Sequence, residues 1–208
     1  MAATIRGTDR SDRLVGSQRG DDISARKGDD RVLARARERP RARRQRARPA
    51  SSAATDRDNI KGGDGRDSIL GGNGRDYIEG GDDRDRISGG RGDDVSRGGE
   101  SDDTIFANLG QDESFGFDGD DDLWALARGD YTGGDDDNGD TLHGGNGDDR
   151  FHTRDGERDR IDCGPGRDTA LLDSEDVIAD DERAATATAR ARTCRSARAA
   201  QDGSESDD

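Results

Sequence analysis

Residues 62–79 read GGDGRDSIL followed at once by GGNGRDYIE, one nine-residue unit written twice. A period of nine is too short for a helical repeat and fits one turn plus one short strand. With Asp placed at position six, aspartates fall at 58, 67, 76, 85, 94, 103, 112, 121 and 130, nine in succession. Single-residue slips carry the register on through Asp140, Asp149, Asp159 and Asp168, and Asp12, Asp21 and Asp30 keep the spacing upstream. Position eight is apolar in the same frame: Leu14, Ile23 and Val32, then Ile60, Ile69, Ile78, Ile87, Ile105 and Leu123, then Leu142, Phe151 and Ile161. Two columns aligned over this length specify a stack of repeats.

The unit has its own physics. Glycines at positions one, two and four allow positive φ and a tight turn, which a Cβ would oppose. Positions seven to nine form a minimal strand whose side chains alternate. Burying one Ile or Leu contributes roughly 1.5–3 kcal/mol, whereas ordering nine backbones costs on the order of 1 kcal/mol each or more. Apolar burial alone loses. The composition says the same: 26% of the 208 residues are hydrophobic, 40% are charged and the net charge is −15, where ordinary domains are about half apolar and a quarter charged. Such figures by themselves suggest disorder, but a disordered acidic chain has no reason to keep register.

Stacked turns dense in Asp repel one another unless a cation lies between them. Carboxylates and backbone carbonyls are hard oxygen ligands, the set preferred by Ca²⁺, which accepts six to eight in flexible geometry. Mg²⁺ demands stricter octahedral geometry, and Zn²⁺ would call for a Cys or His cluster that is absent from the sequence. Calcium is the cation these turns select.

GGDGRDSIL, GGNGRDYIE and GGNGDDRFH closely resemble the RTX, or haemolysin-type, calcium-binding nonapeptide, over roughly residues 7–33 and 53–171. The resemblance implies an all-β parallel β-roll, a right-handed β-solenoid in which successive units alternate between two facing sheets. It also implies several Ca²⁺ ions, each between turns two units apart. Carried onto this chain, it pairs Asp67 with Asp85, Asp76 with Asp94, Asp85 with Asp103, and Asp149 with Asp168. Carbonyls of Gly62, Gly63 and Gly65, of Gly71, Gly72 and Gly74, of Gly80 and Gly81, and of Gly144, Gly145 and Gly147 would complete the shells. Asp64, Asn73, Asp82 and Asn146 at position three are candidate side-chain helpers.

The pattern divides the chain into degenerate repeats at 1–33, an Arg/Ala/Pro-rich insertion at 34–52, a main roll at 53–179 and a tail at 180–208 expected to be mostly disordered. The insertion, ARARERPRARRQRARPASS, reads as disordered or poorly helical; a reading-frame error would give the same composition, as it could in the tail. It has no interleaved aromatics, so nucleic acid is not an expected partner. Ser96, Ser114 and Thr132 fall at position eight in alternate units, which should weaken one sheet above Ile60 and Ile78, opposite Ile87, Ile105 and Leu123. Phe106, Phe115, Phe117 and Trp124 are expected to form a compensating patch or, alternatively, a sugar-stacking surface. LLDSEDVI reads as a closing strand that includes Val177 and Ile178.

No nucleophile elbow, phosphate loop or HExxH is present, and His143 and His152 should lie on opposite sheets near the surface. The chain reads as a binding and structural module rather than an enzyme. No stretch approaches the roughly 20 apolar residues of a membrane span, and no signal peptide is visible. Cys163 and Cys194 are either a disulfide or two incidental thiols. The leading expectation is a secreted or cell-surface protein that folds on binding calcium. The alternatives are the repeat region of a larger secreted enzyme or toxin, or an adhesin-like module for an unidentified glycan or protein.

Overall fold

The structure, a computed structural model, describes residues 4–16, 21–28, 30–33, 57–125 and 139–179, together with the backbone of 191–194. Strands alternate along the chain between two nine-stranded sheets, so each strand pairs with the one two places away. All pairings are parallel except the last, in which Ala191–Cys194 runs antiparallel to Asp168–Leu171. The architecture is the parallel β-roll. The first block shares both sheets with the main one: Ile23 pairs with Ile60 and Val32 with Ile69.

Most strands in the regular region are six residues long, as in Asn59–Asp64 and Ser68–Asn73. The expected three-residue strand is therefore too short. Positions seven to nine run on into positions one to three of the next unit, and only positions four to six turn. The extension gives each unit two inward-facing places: Ile60 and Gly62 are buried in one strand, Ile78 and Gly80 in another. Position one is small throughout the regular turns, with Ala25, Ala107, Ala125 and Cys163 replacing glycine in the core. Cys163 is disulfide-bonded, while the side chain of Cys194 lies outside the described residues.

Register across the insertion is informative. The amide of Asp21 donates to Asp58, and that of Asp30 to Asp67, each 37 residues on. The regular separation is 18, and the excess equals the 19 residues of 34–52, so the strands on either side keep one register. A second excursion was not anticipated. Asp112 is followed in its column by Asp140, 28 residues on, and Asp121 by Asp149. Leu142 pairs with Ser114 in the place expected for Thr132. Asp130 and Thr132 lie outside the described residues, as do 34–52 and most of 180–208.

The serine column behaves as expected: Ile78 pairs with Ser96, and Ser96 with Ser114. The apolar core divides there, one cluster running from Ile23 to Ile105 and another from Leu123 to Ile178. The aromatics do not fill the gap. They stand on the outer faces of the two sheets as separate ladders. On one, Trp124 is stacked between Phe106 at 5.9 Å and His152 at 3.6 Å. On the other, Phe115 stacks on His143 at 4.6 Å and lies 5.7 Å from Phe117. The reason is parity: position nine is adjacent to the inward position eight and must point out. His143 and His152 do fall on opposite sheets, but as stacked, half-buried members of these ladders, bonded to Asp162 and Asp122 respectively.

Candidate metal centre

Each turn brings its aspartate back under the strand it has just left. The carbonyl at position six accepts the amide of position seven two units later, as when Arg86 donates to Asp67 at 2.9 Å. The amide at position six donates to the side chain of the next aspartate in the column. Along one edge of the roll these bonds run Asp67 to Asp85 (2.8 Å), Asp85 to Asp103 (2.7 Å), Asp103 to Asp121 (2.8 Å), Asp121 to Asp149 (2.9 Å) and Asp149 to Asp168 (3.0 Å). Along the other edge they run Asp58 to Asp76, Asp76 to Asp94, Asp94 to Asp112, Asp112 to Asp140 and Asp140 to Asp159. All four pairs expected from the sequence are stacked neighbours, joined amide to Oδ1.

The second carboxylate oxygen is the unusual one. Oδ2 of Asp85, Asp94, Asp103, Asp121, Asp149 and Asp168 is buried and has no hydrogen-bond donor. Burial of an acceptor without a donor is costly, and a carboxylate more so. In Asp85, Asp94, Asp103, Asp121 and Asp149 this oxygen faces the position-one glycine of its own turn. A Cβ on Gly89 would lie 2.7 Å from Asp94 Oδ2 and 3.0 Å from the Ala107 carbonyl oxygen, and one on Gly71 would lie 2.5 Å from the Gly89 carbonyl oxygen. At Gly62, Gly80, Gly98, Gly116 and Gly144 the added atom would overlap the carboxylate oxygen of Asp67, Asp85, Asp103, Asp121 and Asp149. The glycine leaves room for the carboxylate oxygen beside a backbone carbonyl from the turn above, where a Cβ would collide with both.

Positions two and four have a different need. Gly63, Gly72, Gly81 and Gly145, and Gly65, Gly74 and Gly147, all have positive φ. Where glycine is missing the conformation persists, in Arg26, Asn108 and Phe117 at position two and Asp83 and Ser101 at position four. Position one is thus glycine for space, and the other two for backbone conformation. The position-three residues end the strands away from the buried column: Asp82 and Asn146 are exposed, Asn73 half-buried. Asp64 pairs with Lys27 at 2.6 Å, and Asn146 donates to Asp118 Oδ1 at 2.7 Å.

Desolvation dominates the electrostatics. It pushes Asp85 and Asp94 up to about 8, Asp103 and Asp149 to about 7 and Asp121 to about 6, against a usual 3.8, with nearby carboxylates adding to the rise. Asp140 is raised to about 10 and Asp159 to about 8 for the same first reason. Charging these groups at neutral pH works against the fold unless something stabilises the carboxylates. Oxygen ligands without donors, in a cleft shaped by glycine, fit a hard divalent cation.

The profile of the RTX calcium-binding nonapeptide repeat (4 copies) matches residues 6–36, 53–87, 79–113, 88–123 and 97–130, together just over half of the chain. The chain belongs to the RTX calcium-binding repeat family. No curated protein matches it. The matches end at residue 130, whereas the RTX roll continues through 139–179, where insertions of one residue and an excursion blur the period. The ladders extend beyond the aspartates expected from the sequence as ligands. Asp21, Asp30, Asp58, Asp112, Asp121, Asp140 and Asp159 occupy the same ladders, and their place in the period-nine column was the available signal. Asp176, which accepts from the Asp159 amide at 3.2 Å, extends one ladder by a further turn; it is 17 residues on, and no spacing flagged it. The calcium-binding repeats would hold their ions with the buried Oδ2 atoms and the glycine carbonyls of the adjoining turns.

Proposed function

We propose that this chain is a secreted or surface-exposed structural and binding module that winds into its roll when it takes up several calcium ions, and that it has no catalytic activity of its own. The observation that carries the reading is the pair of ladders of buried aspartates, in which the second oxygens of Asp85, Asp94, Asp103, Asp121, Asp149, Asp159 and Asp168 lack donors. Without a cation, ionising them at neutral pH opposes the fold; with one, the metal-binding free energy becomes folding free energy. Affinities of about 10⁻⁴–10⁻³ M are usual for extracellular calcium modules, so the chain would stay unwound in calcium-poor cytosol and fold outside. Trp124 is covered on both faces by Phe106 and His152, so its ring offers no open platform for a sugar.

The test is far-ultraviolet circular dichroism of the metal-free chain during a Ca²⁺ titration, with Mg²⁺ in parallel. A cooperative gain of β signal near millimolar Ca²⁺, absent with Mg²⁺, is expected. A spectrum indifferent to Ca²⁺ refutes the reading.

A further inference from the structure

The turn at 153–159 departs from the nonapeptide. In place of Gly-Gly-x-Gly-x-Asp it reads Thr-Arg-Asp-Gly-Glu-Arg-Asp, one residue longer. Thr153 fills the inward place that glycine keeps open elsewhere; it is fully buried and its Oγ1 donates to Asp176 Oδ2 at 2.7 Å. The glycine-built cleft is therefore absent from this turn. What replaces it is a row of carboxylates at alternate residues, Asp155, Glu157 and Asp159, each offering an oxygen within 4.8 Å of the others. Gly156, at φ +93°, donates its amide to Asp173 Oδ2 at 2.7 Å, and the Glu157 amide donates to Asp155 Oδ1 at 3.0 Å, so the loop is fixed from both sides.

An acidic cluster alone would mean little on so acidic a chain. The deciding observation is Asp159. It is 1% exposed; its Oδ1 accepts the Asp140 amide at 2.7 Å, and its Oδ2 is buried with no donor. A buried carboxylate belonging to the group thus presents an oxygen that nothing in the protein satisfies.

We propose that Asp155, Glu157 and Asp159 form a calcium site of a second kind, built from side-chain carboxylates of one turn rather than from glycine carbonyls of two. Oxygens bound to one Ca²⁺ at about 2.4 Å lie up to about 4.8 Å apart, and the three carboxylates offer oxygens within that reach of one another. The site ties the turn to the closing segment, because Asp173 and Asp176 bond to the same loop. It relies on the calcium reading of the repeats for a folded roll and shares the ladder aspartate Asp159 with them, while Asp155 and Glu157 belong to no repeat column.

The test is calcium stoichiometry of the full chain by isothermal titration calorimetry, with circular dichroism on the same samples. Asp155→Asn/Glu157→Gln should bind one ion fewer than the parent while keeping its calcium-induced β signal. Glu157→Gln alone, a milder change, should weaken one site by roughly tenfold, the loss of one of its charged ligands, and leave the others unchanged. Asp148→Asn, an exposed carboxylate of another turn, should alter nothing and controls for net charge. An unchanged ion count in both Glu157 variants, or an equal loss in the Asp148 control, overturns the inference and leaves the repeat sites standing. A parent chain that takes up no calcium overturns both.

Discussion

Asp85→Asn separates the charge of a ladder residue from its hydrogen bond. The carboxamide keeps an Oδ1 able to accept the Asp67 amide, now at 2.8 Å, but it can never ionise. Burial, followed by the neighbouring carboxylates, raises Asp85 from 3.8 to about 8. A carboxyl with a higher folded than unfolded pKa holds its proton more tightly in the fold. Its contribution to stability is therefore fully present below about pH 4 and is lost progressively as pH rises through about 8. At one pKa unit per about 1.4 kcal/mol, ionising this group at pH 7 opposes the metal-free fold by at most about 4 kcal/mol. Several such residues together exceed the 5–15 kcal/mol that stabilises an ordinary domain. Metal-free Asp85→Asn should therefore show more β signal at pH 7 than the parent, and a midpoint of pH-induced unfolding shifted upward. With calcium the order should reverse, since the amide is a weaker ligand and the Ca²⁺ midpoint should rise. Far-ultraviolet circular dichroism from pH 4 to 9, with and without Ca²⁺, reads both effects. If metal-free Asp85→Asn shows no more β signal at pH 7 than the parent, or if the parent is indifferent to pH, the charge argument fails.

Two other substitutions probe the packing. Ser114 Oγ is buried without a partner at the break between the two core clusters, so Ser114→Val should raise stability in calcium by about 1 kcal/mol, measured by chemical denaturation. Deleting residues 34–52 restores the 18-residue separation between Asp30 and Asp67 and should leave the Ca²⁺ midpoint of the β signal within a factor of about two; a large rise would show that the insertion supports the roll.

Much of the fold was legible because the repeat is its own alignment. The period of nine with a single inward column specifies a stack, while alternation between two sheets and the four aspartate pairs came from the resemblance to the RTX nonapeptide, and the pairing of Ile78 with Ser96 and of Ser96 with Ser114 agrees with it. The strand length was not, because glycine reads as a turn residue. Here Gly62 and Gly63 close a strand, and only their pairing with residues two units away makes them part of the sheet.

By itself the sequence determined the two columns, the stacking of the units and the acidity of the turns, since these depend on spacing and residue type alone; the two sheets followed from the resemblance to the RTX repeat. The tertiary structure decided three further things. It placed Asp140, 28 residues on, as the next aspartate after Asp112 in the ladder. It gave the glycines two separate duties, room for an oxygen at position one and backbone freedom at positions two and four. And it gathered Asp155, Glu157 and Asp159 within reach of one ion, in a turn where the period slips and spacing stops being a guide.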